Sequence, residues 1–535
     1  MRILIFEYFG ALQSQGYRLS GKNRAGRWPQ TDGVGLGTAG IWNLLFRSGA
    51  CPGIVREDAF PQPESGDVLY ACANARYPDR IERLLGGWLA AGGIVVASGC
   101  ADAWRFAFPE GCLPEKARYD HPYAALAWIH SGDDPQLIAP PNWSYARFPE
   151  GADGRMGCHG RLAAVHGERQ TPGRALVTFL DGAPAIVQAG NLWYFNGNPF
   201  AALQSWVQGQ EDLEPWMAWR HRLFWLDEFG GYLCRTLRLH GLLPERMSGQ
   251  VGLGETTLVL KHDLDYSRDT TYLDLENQEG VAGVHPILQD SNTDFWVAKM
   301  KLHLAHESAF HYNTARYSRV IEAVRHKLLN RPKRPARPDR KGIQGVGLLN
   351  QVKWAMRNGV GIETLHRHAF FLIYPELVDA LDTVYNELPE VLGSSSFFRA
   401  QVLRWGVDVA DGMRGTYGSF PDPQFPCWFP YRLAHAGDGG RMLRGWESTC
   451  MMELEPELVE QMLDHPVPDL SQRVIVLNYH PAHARSATFA RDGCADWVRE
   501  VLAICRRRGV EVRTLADVYK RLNDCMRVGD AAVSQ

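Results

Sequence analysis

The eleven cysteines (51, 72, 100, 112, 158, 234, 427, 450, 494, 505 and 525) include no Cys-x-x-Cys pair. This argues against a zinc ribbon and a disulfide framework, and points to reduced thiols. Positive charge is also short: 57 Lys and Arg stand against 60 Asp and Glu, for a net charge of −3. A dedicated nucleic-acid surface is thereby excluded, and an anionic ligand would have to be met locally. No apolar stretch is long enough to span a bilayer. The apolar run in Met-Arg-Ile-Leu-Ile-Phe-Glu-Tyr is shorter than a signal-peptide core and is broken by Glu7, so a cytoplasmic location is expected. Bulk disorder is not indicated, with 45% hydrophobic and 22% charged residues.

What is present suggests two α/β units. A chain of 535 residues exceeds what one core usually serves, and the Gly- and Ser-rich stretch Met247 to Glu255 marks a boundary between 1–250 and 251–535. In the first unit, strand patterns at Arg2 to Phe9, Gly53 to Val55, Asp67 to Ala73 and Gly93 to Ser98 alternate with a helical pattern at Pro78 to Ala91. That alternation predicts a doubly wound parallel sheet. Short strands from Leu126 to Phe195, with turns at Asp181-Gly182 and Gly190-Asn191, predict antiparallel additions. Gly35-Leu-Gly37-Thr-Ala-Gly40 has dinucleotide-loop spacing but lies well past the first strand, so it reads as a glycine-rich loop before a helix at Ile41 to Phe46. Ile94-Val-Val-Ala-Ser-Gly-Cys100 resembles the strand-to-turn segment of class I glutamine amidotransferase-like (flavodoxin-like) domains. The glycines of a nucleophile elbow are replaced by Ser98 and Asp102, so Cys100 reads as a core residue.

In the second unit the apolar run from Thr257 ends in His262-Asp263-Leu264-Asp265. Residues two apart in extended backbone point the same way, so Asp263 and Asp265 can address one cavity, one as cation ligand and one as base. A helix-capping turn is the plainer alternative for this segment. Gly283 to Gln289 reads as a strand, and residues 300–345 as an insertion, basic near 316–345. Its Lys327, Arg331, Lys333, Arg334, Arg337, Arg340 and Lys341 form either a phosphate clamp or, preferred because of the interleaved prolines, a solvated loop. Val360 to Leu365 is a strand ending in His366-Arg367-His368, whose imidazoles share a face and suit a cation. Gly393 to Ala400 brings Arg399 to a strand's polar end, and Arg473 to Tyr479 is a buried strand running into His480.

Carboxylates after one strand, histidines after a second, an arginine after a third and a histidine after the last suit an α/β barrel with chemistry at its strand ends. The order resembles the polysaccharide deacetylase (NodB homology) superfamily over roughly residues 256–522, implying a distorted (β/α) barrel. The resemblance implies Asp263 as catalytic base, Arg399 ordering it, and His480 as general acid. It implies Asp265, His366 and His368 as ligands of a divalent metal, zinc by donor type. Two departures stand out: Leu264 separates the aspartates, and the histidines are two apart where the family spaces them by four.

The function expected is removal of an N-acyl group from an amino sugar or related amide. Its substrate would be a nucleotide- or lipid-linked precursor of a surface polysaccharide, and the first unit would shape the cleft or form a homo-oligomer. The alternative is a catalytically silent carbohydrate-binding or scaffolding protein.

Overall fold

The computed structural model describes residues 1–8, 35–73, 76–99, 101–108, 125–126, 128–130, 156–157, 174–179, 184–196, 200, 204, 230–231, 233–234, 236–244, 253–316, 337–338, 340–368, 376–396, 429–435, 441–448, 450–452, 456–464, 472–481 and 494–533. Two parallel-rich sheets organise them, making a mixed α/β structure.

The first sheet is built from β1 (Ile3–Phe6), β2 (Gly53–Val55), β3 (Val68–Ala73), β4 (Ile94–Gly99), β5 (Trp128–His130), β6 (Arg174–Phe179), β7 (Pro184–Ala189) and β8 (Leu192–Asn196). Their order is β2-β1-β3-β4-β8-β7-β6-β5. Pairing is parallel from β2 to β8 and antiparallel from β8 to β5. Alternation sets its two faces: Leu4, Phe6, Leu69 and Ala71 join one core with Ile81, Leu85 and Trp88 of α2 (Asp79–Ala90). Ile3, Ile5, Val68 and Tyr70 face the other way, into a core continuous with the second sheet's.

The helix α1 (Gly35–Arg47) corrects the sequence reading, because the expected glycine-rich loop forms its first turns. Close packing explains Gly40, where an added Cβ would stand 1.9 Å from the Phe200 carbonyl oxygen. Cys100 lies outside the described residues.

The second sheet contains β9 (Thr256–Lys261), β10 (Val284–Leu288), β11 (Glu307–Asn313), β12 (Thr364–His368), β13 (Gly393–Ser395), β14 (Tyr431–Ala434), β15 (Met442–Glu447), β16 (Cys450–Met452), β17 (Arg473–Asn478) and β18 (Glu511–Val512). The order is β14-β15-β13-β12-β11-β10-β9-β17-β16, with β18 also on β9; only β14 runs antiparallel to its neighbour. Around it lie α3 (Thr271–Gln278), α4 (Thr293–Met300), α5 (Gly347–Arg357), α6 (Glu376–Glu387), α7 (Pro456–Asp464), α8 (Cys494–Arg508) and α9 (Leu515–Val533). Every residue of β9 is buried, as a parallel strand covered on both faces requires.

β11 corrects the expected insertion at 300–345, since residues 307–313 form a strand in the middle of the sheet. Of the basic stretch, 317–336 lie outside the described residues, while Arg337–Pro338 pairs with Ala315–Arg316.

Candidate metal centre

The parallel run β12-β11-β10-β9-β17 brings the carboxyl ends of neighbouring strands to one side of the sheet. Three of those ends supply the ligand-type side chains: Asp265 follows β9, His311 lies near the end of β11, and His368 ends β12. His368 Nε2 is 3.3 Å from Asp265 Oδ2, and His311 Nε2 is 3.6 Å from Asp265 Oδ1. One donor atom from each of the three lies within 4.8 Å of the others. Asp265 Oδ1 is buried without a hydrogen-bond partner among the described residues, and His311 Nδ1 lies 3.2 Å from Asp263 Oδ1, which leaves His311 Nε2 toward Asp265. One carboxylate and two imidazoles at this spacing fit a divalent cation of the zinc class, and burial favours the neutral, ligating form of His311. Burial alone would raise the Asp265 carboxyl, but the imidazoles of His311, His368 and His480 hold it below its ordinary value.

Asp263 lies deeper. Lys261 Nζ stands 3.1 Å from Asp263 Oδ1, both side chains being fully buried, and Asn478 Nδ2 donates to Asp263 Oδ2 at 2.7 Å. Burial works against its charge, yet the Lys261 ammonium, with smaller help from His311 and His480, overcomes that and keeps the carboxyl ionised, well below the usual range. The same partnership raises Lys261 despite its burial. His480 closes the group, with Nε2 3.5 Å from Asp263 Oδ2 and 3.9 Å from Asp265 Oδ2.

The structure thus brings Asp263, Asp265, His368 and His480 together. His366 is different: it faces His311 across the β11–β12 ladder, but its Nε2 lies 2.9 Å from Thr364 Oγ1 and it is outside the three-residue group. His311 holds the place that the sequence spacing gives to His366. Arg399 lies outside the described residues. Sequence reasoning missed His311, Lys261 and Asn478. Their signal was faint, a histidine in a run taken for an insertion and two polar residues at the last positions of apolar strands.

Past Asp265 the chain turns sharply. Tyr266 has φ +53° and exposes 56% of its surface beside the site, the one non-glycine residue at positive φ among those described.

No family model matches the chain, and no curated protein matches it. Among solved structures it is similar to the Xyl-CE4 domain of a multidomain xylanase from the hindgut metagenome of Trinervitermes trinervoides, at 10% identity and TM-score 0.26, covering 50% of this chain and 92% of that one. It is also similar to the Bc1960 peptidoglycan N-acetylglucosamine deacetylase, at 10% identity and TM-score 0.26 over 50% and 93% of the two chains. An exo-beta-1,4-mannosidase, Op5Man5 from Opitutaceae bacterium strain TAV5, matches at 13% identity and TM-score 0.26 over 45% and 36%. Likenesses of this size carry no function from one chain to another.

Proposed function

We propose that the chain is a metal-dependent hydrolase that removes an N-acyl group, acetyl in the simplest case, from an amino sugar or related amide. In this reading the second sheet and its helices form a distorted (β/α) barrel, and residues 1–250 form an amidotransferase-like unit that shapes the cleft. One observation carries it: Asp265 gathers two imidazoles, while Asp263, two residues away, is kept ionised by a buried ammonium.

A divalent cation, zinc by donor type, would be held by Asp265, His311 and His368, and supplies Lewis acidity toward a carbonyl oxygen and an attacking water. Asp263 takes the proton of that water. Lys261 and Asn478 orient this base and keep it charged, the work that the family resemblance assigns to Arg399. His480, within 4 Å of both carboxylates, delivers a proton to the departing amine. The exposed ring of Tyr266 offers a face on which a sugar can lie.

The test is acetate release by the zinc-loaded full chain from nucleotide-linked, lipid-linked and oligomeric N-acetylated amino sugars. Release that a chelator abolishes and zinc restores supports the reading. Sugar binding with no release from any of the panel contradicts it and leaves a binding protein.

A further inference from the structure

A second convergence of ligating side chains lies behind β9. Neighbouring residues at the strand's end point to opposite sides, so Asp263 faces the centre described above and His262 faces this one. Its members are Glu276 on α3, His285 on β10 and His306 just before β11, all buried. Three atoms point inward. His285 Nε2 and His306 Nδ1 are 3.0 Å apart, and Glu276 Oε2 is 3.8 Å from the first and 3.5 Å from the second. Donors at about 2.1 Å around a tetrahedral zinc stand roughly 3.4 Å apart, so this triangle has the size of one face of such a site.

The outward atoms are held by partners. His262 Nε2 meets Glu276 Oε1 at 2.8 Å, Tyr272 Oη meets His285 Nδ1 at 3.3 Å, and Asn277 Oδ1 meets His306 Nε2 at 3.3 Å. Such outer contacts fix which nitrogen of a ligating imidazole is left to face a metal. An independent sign is Glu276 Oε2, which is shut off from solvent and accepts no hydrogen bond, a costly condition for a carboxylate oxygen. The space for that carboxylate exists only because residue 283 is glycine, since an added Cβ would lie 2.9 Å from Oε1 and 3.0 Å from Oε2. A cation would displace two contacts, the hydrogen bond between His285 Nε2 and His306 Nδ1 and the one that the Gly283 N–H donates to His306 Nδ1 at 3.1 Å.

We propose that Glu276, His285 and His306 form a second cation site, taking a divalent ion of the zinc class in a structural role. Its buried position keeps substrate away, and it would tie α3 to the amino ends of β10 and β11. It would also fix His262 and, through one peptide bond, the backbone that carries Asp263.

The experiment is zinc content per chain, measured by mass spectrometry on full-length protein stripped of metal, reloaded and dialysed. The Asp265→Ala chain, in which this cluster is untouched, should retain one equivalent. Adding Glu276→Gln, which preserves volume and an acceptor for His262, should remove it, and one equivalent of zinc should raise the Tm of Asp265→Ala but not of the double variant. An Asp265→Ala chain that binds no zinc overturns the second site, as does a double variant that binds as much as Asp265→Ala. Wild type with one equivalent that Asp265→Ala does not lower would instead support this site and count against the proposed active centre.

Discussion

At the residue scale the account turns on two carboxylates with different tasks. Asp263→Asn should lower kcat by about 10²- to 10⁴-fold while zinc content stays unchanged; equal losses of zinc and activity would make Asp263 a ligand. Lys261→Met leaves Asp263 buried with no ammonium, so its carboxyl rises. A base works only above its pKa, and the acid limb of the pH–rate profile should therefore move to higher pH in that variant. An unmoved limb would mean that Lys261 does not set the charge of Asp263. Tyr266 separates stability from binding: at φ +53° glycine is relaxed and tyrosine is strained, so Tyr266→Gly should raise the Tm slightly while raising KM. Asp263 and Asp265 were legible in the sequence because a spacing of two in extended backbone has one geometric meaning. His311 was not, because in Glu-Ser-Ala-Phe-His-Tyr-Asn the buried positions include Glu307 and His311, and polar residues inside a sheet erase the hydrophobic pattern of a strand.

At the element scale, strands covered on both faces announced themselves as apolar runs, as β9 and β17 did. α1 was misread at its start because Gly40 answers to the Phe200 backbone and not to a local turn. One element joint predicts a pH response. His435, just after β14, sits 2.9 Å from Asp379 and 3.0 Å from Asp382 of α6. Burial lowers its pKa, but the two carboxylates more than offset this and bring it to about 9. A group whose folded pKa is raised contributes fully below its ordinary value near 6.5 and loses that contribution as pH rises through 9. Wild type should therefore lose on the order of 2 kcal/mol between pH 6.5 and pH 9.5 that His435→Gln does not lose, read from urea unfolding at each pH. Parallel pH curves for the two proteins would contradict this.

At the scale of the whole molecule, α1 joins the two sheets. The Asn43 side chain accepts from Arg432 N at 2.8 Å and donates to Arg432 O at 2.9 Å, standing in for a neighbouring strand at the edge strand β14. The Arg432 guanidinium lies over both Trp42 and Trp446, 5.1 and 5.0 Å from their ring centroids. Asn43→Leu takes the acceptor from the Arg432 N–H, while the Arg432 carbonyl keeps the Gln204 Nε2 donor at 2.8 Å, and should cost about 1–3 kcal/mol. Transitions of the two halves, followed by hydrogen exchange, should separate in the variant; one unchanged cooperative transition would show that this contact does not couple them. The Asn43–Arg432 contact was not legible in the sequence, because its partners are 389 residues apart and carry no shared spacing.

The central claim is that Asp265, His311 and His368 share one ion. Anomalous scattering at the zinc edge from crystals of the zinc-loaded protein tests it most directly. The account predicts a peak about 2.1 Å from a carboxylate oxygen of Asp265 and from one imidazole nitrogen each of His311 and His368. A peak coordinated by His366 in place of His311, or no peak beside Asp265, would contradict it.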